Sequence, residues 1–158
     1  MAFGLSKSGK QVFTANGTWT HPMPGVALSV TMLLVGGGGG AQGATNNVAS
    51  GNGGNGGNTT ATPTGGTTIT AKGGAGGGLP DVAGAGRTNQ NTALGPLGVG
   101  LYGINGIAPT APWKHGQCGE AKLVTITTTS NIKIIIGAGG TAATGGVSGY
   151  PGIAIVEW

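Results

Sequence analysis

Two stretches of this 158-residue chain hold residue types whose spacing could do chemistry. Gly51-x-Gly53-x-x-Gly56 has the spacing of a dinucleotide-binding turn, in which glycines let the backbone approach a pyrophosphate. Such a turn needs a strand before it, a helix after it and an acid about 20 residues on. Here Gly73 to Gly78 fills that region and the nearest acid is Asp81, so no nucleotide cofactor is expected. His115-Gly-Gln-Cys118 sets two metal-ligand types three residues apart. A zinc site wants four ligands, or three and a water. Only His21 and Glu120 could add to the pair, and no metal is expected. The six serines (Ser6, Ser8, Ser29, Ser50, Ser130, Ser148) include none in a Gly-x-Ser-x-Gly nucleophile elbow.

The scarcity of titratable groups points the same way. The acids number three, Asp81, Glu120 and Glu157, and charged residues make up 6% of the chain. Paired-carboxylate hydrolysis and acid/base relays therefore lack the residues they need, and a non-enzymatic protein without cofactor is expected. The seven bases are scattered along the chain with no cluster beyond Lys7 and Lys10, so nucleic-acid binding, which wants a stripe of bases with stacking aromatics, is not expected despite the net charge of +4. Cys118 is the only cysteine, so no intrachain disulfide can form. Met1 to Lys10 lacks the apolar core of a secretory signal. The longest apolar-rich stretch, Val26 to Val35, is too short to span a bilayer as a helix. Folding in a cytoplasm and no membrane insertion are the expectation.

The elements that would position any site must be built from an unusual composition. Glycine takes 38 positions and proline 8, and both are poor helix formers. The mean hydropathy of +0.14 and runs of Val, Ile and Thr argue against disorder, which goes with high charge and few β-branched residues. The chain reads as all-β, with essentially no α-helix, in a single domain over residues 1–158. Residues 10–35 and 120–158 form a small β-sandwich frame around a glycine-rich insert, 36–119. In the frame, Gln11 to Thr14 and Thr18 to Thr20 read as a hairpin about Asn16-Gly17, a strong two-residue turn signal. Val26 to Val35 alternates, with Val26, Leu28, Val30, Met32 and Leu34 on one face. Further strands are expected over 122–129 and 132–136, with Ile132, Ile134 and Ile136 on one face, and over 152–158. Phe3, Phe13, Trp19 and Trp158 are expected in the core or at subunit contacts.

The glycines of the insert repeat every three residues: Gly37, Gly40 and Gly43; Gly51, Gly54 and Gly57; Gly100, Gly103 and Gly106; and, beyond the insert, Gly146, Gly149 and Gly152. Three is the period of a polyproline-II-type helix, which has no internal hydrogen bonds. A glycine on every turn leaves one edge bare, so that neighbouring backbones can approach and satisfy each other. These twelve structural glycines predict several short helices of this type, packed side by side and joined by loops.

Two blocks frame the insert. The first is Phe13-Thr-x-x-Gly17-x-Trp19-x-x-Pro22, Gly25-Val26 and a strand ending in Val35-Gly-Gly-Gly-Gly-Gly40. The second is Gly119-Glu120, Ile136-Gly-Ala-Gly-Gly140 and Gly149-x-Pro-Gly-Ile-x-Ile-Val-Glu-Trp158. Together they resemble the glycine-rich domain of bacteriophage tail-fibre and tail-tip proteins, including the T-even-type fibre-tip adhesins. The resemblance covers most of the chain outside the variable middle. The chain departs from it in a short stretch between Gly140 and the last strand, and in Thr/Asn/Ala stretches such as Asn58 to Thr70. The resemblance implies a sandwich of glycine helices whose connecting loops contact a receptor. It implies a virion tail protein assembled in the host cytoplasm. Its partners would be other virion tail proteins and a bacterial surface glycan or outer-membrane protein.

Within that expectation, binding energy should rest on rigid aromatic anchors amid adaptable polar groups. Tyr102 and Trp113, the latter on a proline-stiffened loop, are the expected anchors. Arg87, Asn89, Asn91 and His115 are the expected polar contacts. The frame offers more apolar alternation than one small sheet covers, and a homo-oligomer, a trimer, is expected. The other reading is a structural virion protein, such as a decoration, collar or baseplate component, that binds no receptor.

Overall fold

The computed structural model describes residues 8–45, 48–78 and 116–158, with the backbone alone for residues 43–45 and 48–50. Ten strands are described and no helix among the described residues: β1 Lys10–Phe13, β2 Gly17–Trp19, β3 Leu28–Val35, β4 Gly43–Thr45, β5 Val48–Gly51, β6 Thr59–Pro63, β7 Ile69–Ala71, β8 Ala121–Thr128, β9 Ile132–Ile135 and β10 Ile153–Glu157. They form two antiparallel four-stranded sheets, in the orders β1-β10-β3-β8 and β2-β9-β6-β7, and a separate β4-β5 pair. The fold is all-β, as expected.

The alternation along β3 sets the core. Val30, Met32 and Leu34 face inward with Ala154 and Val156 of β10, and meet Trp19, Ala61, Ala71, Ile132 and Ile134 of the second sheet. At about 25 cal/mol per Å2 of buried apolar surface, this cluster supplies the main apolar contribution of the frame. The opposite face of β3 is exposed at Ser29 and buried at Leu33 and Val35, which cluster with Ile153 and Ile155. The strand is thus covered on both faces only at its C-terminal end.

Two expectations about the frame need correction. β1 and β2 are not a hairpin. β1 pairs with β10 in one sheet and β2 with β9 in the other. Residues 14–16 therefore cross between the sheets, and Asn16 turns its side chain to accept the Ile136 N–H at 2.8 Å. Each short strand gains more by extending a sheet whose inner face carries Phe13 or Trp19 than by pairing with its sequence neighbour. Second, the frame is not confined to 10–35 and 120–158. β6 and β7 lie inside the expected insert and complete the second sheet. Their Thr-rich sequences carry few apolar residues, but Ala61 and Ala71 sit fully buried in the same core cluster as Trp19 and Ile134, with Ala61 opposite Ile134 in the sheet.

The glycine helices are strand continuations. Residues 36–42 follow β3, 72–78 follow β7 and 137–143 follow β9. Residues 53–58 lead into β6, 116–120 into β8 and 147–152 into β10. Segment 36–42 lies at the centre. Its successive amides turn through three directions: Gly36 and Gly39 donate to the carbonyls of Glu120 and Gln117, Gly37 and Gly40 to Gly57 and Gly54, Gly38 and Ala41 to Tyr150 and Val147. Its carbonyls accept in the same period, Gly37 and Gly40 from the N–H groups of Gly74 and Gly77, Gly38 and Ala41 from those of Gly140 and Ala143. Five segments thus surround one, and every bond is between chains of backbone with no regular strand pairing.

Such packing leaves no room for side chains at the contacts. A methyl on Gly56 or Gly53 would stand on the carbonyl oxygen of Gly37 or Gly40; one on Gly73 or Gly76 on that of Gly56 or Gly53; one on Gly119 or Gly116 on that of Gly36 or Gly39. The central segment needs more than one bare edge, since Gly36 and Gly39 face Lys72 and Ala75 while Gly37 and Gly40 face Ala138 and Thr141. That is why the chain has five consecutive glycines there, while the neighbouring segments 53–58 and 72–78 break their glycine pairs with Asn55 and Ala75. The expected glycine phase holds at Gly37, Gly40, Gly54, Gly57, Gly149 and Gly152. It fails at Gly43 and Gly51, which belong to the β4-β5 pair. Gly146 makes a looser contact, 3.1 Å from an added Cβ to the Ala41 oxygen. Gly100, Gly103 and Gly106 lie outside the described residues.

Candidate binding surface

The strand directions give the molecule two ends. At the base, β3 starts at Leu28 opposite the last residue of β8, Thr128, and β1 starts at Lys10 opposite Glu157. Gly9 and Trp158 exchange backbone hydrogen bonds there. The base is closed by residues 20–27, 64–68 and 129–131. His21 is buried in it, with Nε2 donating to the Thr128 carbonyl at 3.2 Å and Nδ1 accepting the Met23 N–H at 3.1 Å. Its ring meets that of Trp19 edge-on. Both nitrogens are committed, so His21 holds a corner. Beside it, a groove of about 470 Å3 runs between the 63–67 and 127–130 turns, lined by hydroxyls over Ile69 and Ile126.

The other end is built by the glycine helices. Gly77 donates to Gly40, and Gly39 donates to Gln117. Gly78 and Gly116 therefore stand level with residues 39–41, at the far end of the central segment. Three connections leave from this end: the β4-β5 pair, residues 79–115, and the turn at residues 144–146. Every expected contact residue, Arg87, Asn89, Asn91, Tyr102, Trp113 and His115, falls within 79–115 and lies outside the described residues.

The asparagines of Gly51-Asn-Gly-Gly-Asn-Gly-Gly-Asn58 have a structural role that spacing alone does not reveal. The Oδ1 atoms of Asn55 and Asn58 accept the N–H groups of Gly76 and Gly73 at 2.9 and 3.0 Å. Backbone amides of Gly53 and Gly56 bond the same neighbouring segment at Gly77 and Gly74. Side chain and main chain thus alternate in clamping 53–58 to 72–78. In the same way the Glu120 Oε2 accepts the Lys72 N–H at 2.9 Å. Glu157 pairs with Lys10 at 3.3 Å on the frame surface. Cys118 is buried within segment 116–120. Among the described residues no three of His, Cys, Asp or Glu gather as a metal would need.

One surface feature was not singled out by the sequence. With Gly149 and Gly152 turned inward, segment 147–152 shows its other edges to solvent. Val147 is 50% exposed and Tyr150 is 41% exposed. The signal was present in the sequence as large residues three apart, out of phase with the glycines. Comparison of the chain with protein-family models, with curated proteins and with solved structures found no match.

Proposed function

We propose that the chain is a non-enzymatic bacteriophage tail-fibre or tail-tip protein that displays loops for host-receptor recognition. The observation that carries this reading is the polarity of the frame. A rigid two-sheet base continues into a lattice of glycine helices, and the connection that holds Tyr102, Trp113 and their polar neighbours is inserted at the end away from the base. Loops on a rigid scaffold are the usual place for binding residues. A backbone lattice supplies that scaffold with few charged or large side chains, which accounts for a composition with little left for catalysis. The resemblance of the framing blocks to phage tail domains supports the same reading, and a virion location follows from it. The base is the end that would join other tail proteins.

Adsorption tests this. Purified protein in excess should occupy host receptors and slow adsorption of the virions that carry it. Trp113→Ala and Tyr102→Ala should lose that competition while keeping the melting curve of the parent. Parent protein that neither binds host cells nor competes with virions would overturn the reading and leave a structural virion role.

A further inference from the structure

We infer that a shallow groove on the outer face of the second sheet, centred on Lys133, is a binding site for an acidic saccharide. The site lies on the frame and goes beyond the receptor reading: it stands whether or not residues 79–115 contact a receptor. Its construction follows from strand alternation. Trp19, Ile132 and Ile134 belong to the core, so Thr18, Lys133 and Ile135 stand on the outer face. Thr18 of β2 and Thr62 of β6 flank Lys133 in register. The groove has a volume of about 510 Å3. Its polar lining is Asn16, Thr18, Thr64, Asn131 and Lys133, Ile135 is its exposed apolar residue, and no acid is part of it.

The two asparagines are set as donors. The Asn16 Oδ1 accepts the Ile136 N–H at 2.8 Å, and the Asn131 Oδ1 accepts the His21 N–H at 2.9 Å. Each bond settles which end of the amide is oxygen and leaves the Nδ2 group to donate. Among the described residues neither Nδ2 group has a partner, and neither has the Lys133 ammonium. The chain has three acids. Glu120 accepts the Lys72 N–H and Glu157 pairs with Lys10, and Asp81 lies outside the described residues. An ammonium among further donors calls for an anion. The donors are spread too widely for a bare ion: Asn131 precedes β9 and Asn16 stands at its far end, about 13 Å away at four residues of strand rise. The ligand therefore carries one anionic group for Lys133 and oxygen acceptors to either side, which is the chemistry of a saccharide bearing a carboxylate or a phosphate. Ile135, 38% exposed, offers apolar contact to the C–H face of a sugar ring. A peptide fits less well, because its N–H groups need acceptors and both Asn Oδ1 atoms are spent.

The test uses the full-length protein and immobilised oligosaccharides ending in a uronic acid or a sugar phosphate, with neutral oligosaccharides of the same length and inorganic phosphate for comparison. The parent should bind at least one acidic saccharide, more weakly as salt rises, and neither comparison at the same concentration. Lys133→Gln should weaken that binding at least about tenfold, the scale of a lost charge-assisted hydrogen bond, while Lys133→Arg keeps it. Asn16→Asp leaves an acceptor for the Ile136 N–H but sets a negative charge at the groove. It should weaken binding by a similar factor and keep the parent melting curve, which separates ligand contact from folding. Parent protein that binds no acidic saccharide, or binds the neutral ones equally, overturns the inference. So does inorganic phosphate bound as tightly as the saccharide, or a Lys133→Gln variant that binds as well as the parent.

Discussion

Gly56 and Gly65 lie in neighbouring parts of the chain and respond to substitution for opposite reasons. Gly56 packs against the Gly37 backbone, where an added Cβ would overlap both the carbonyl oxygen and carbon. Neither backbone can move without opening bonds on several sides. Gly56→Ala is expected to cost at least about 1–3 kcal/mol, the range of overpacking, and to lower the melting temperature by several degrees. Gly65 has φ +75° and nothing within 4 Å of an added Cβ. Asparagine tolerates that left-handed backbone, so Gly65→Asn should melt within about 0.5 kcal/mol of the parent. The amide clamp gives a second test at this scale. Asn55→Ala removes the acceptor of the Gly76 N–H, and a buried donor left without a partner costs about 1–3 kcal/mol. Thermal melts of the three variants check the expected order.

At the scale of elements, alternation was readable where apolar residues mark the faces. β3, β8, β9 and β10 stand close to their expected places because Val30, Met32, Leu34, Ile132 and Ile134 must share one core. β6 and β7 were hidden because Thr and Ala carry little apolar signal, and only the buried methyls of Ala61 and Ala71 show which side faces in. Asn16-Gly17 was misread because turn preference is local while strand pairing is decided by the two sheets. The structure makes Asn16 an acceptor for Ile136, so Asn16→Asp should keep the parent stability and Asn16→Ala should lose about 1 kcal/mol. A tight hairpin turn would respond mainly to Gly17. The glycine period was legible, but the ends of each run were not, because Gly43 and Gly51 continue the three-residue spacing into a β pair.

For the whole molecule, the sequence carried the expectation of a display protein but could not show why so few side chains suffice. The lattice answers in physical terms: the interior of the far end is backbone, its hydrogen bonds close on themselves, and side chains are freed for the surface. The trimer remains a proposal, and the frame offers it a surface. Leu123 on β8 is 69% exposed and Val12 on β1 is 50% exposed, both on edge strands of the first sheet. Light scattering should give a mass near three times the 15.0 kDa chain, and Leu123→Lys should shift the species toward monomer without changing the secondary structure. A parent protein that is monomeric at every concentration would exclude the trimer and favour a single-copy cap.

Glycine runs packed as a scaffold must protect their own amides, and hydrogen exchange at Gly36 to Ala41 tests that directly. Six consecutive amides there donate to six carbonyls on three neighbouring segments, at 2.8 to 3.0 Å. All six should exchange as slowly as the amides of β3, with opening free energies near that of global unfolding. An exposed strand would protect alternate amides, and a glycine loop would protect none. Exchange of these six amides at the rate of an unfolded peptide would contradict the lattice, and with it the rigid display end on which the functional reading stands.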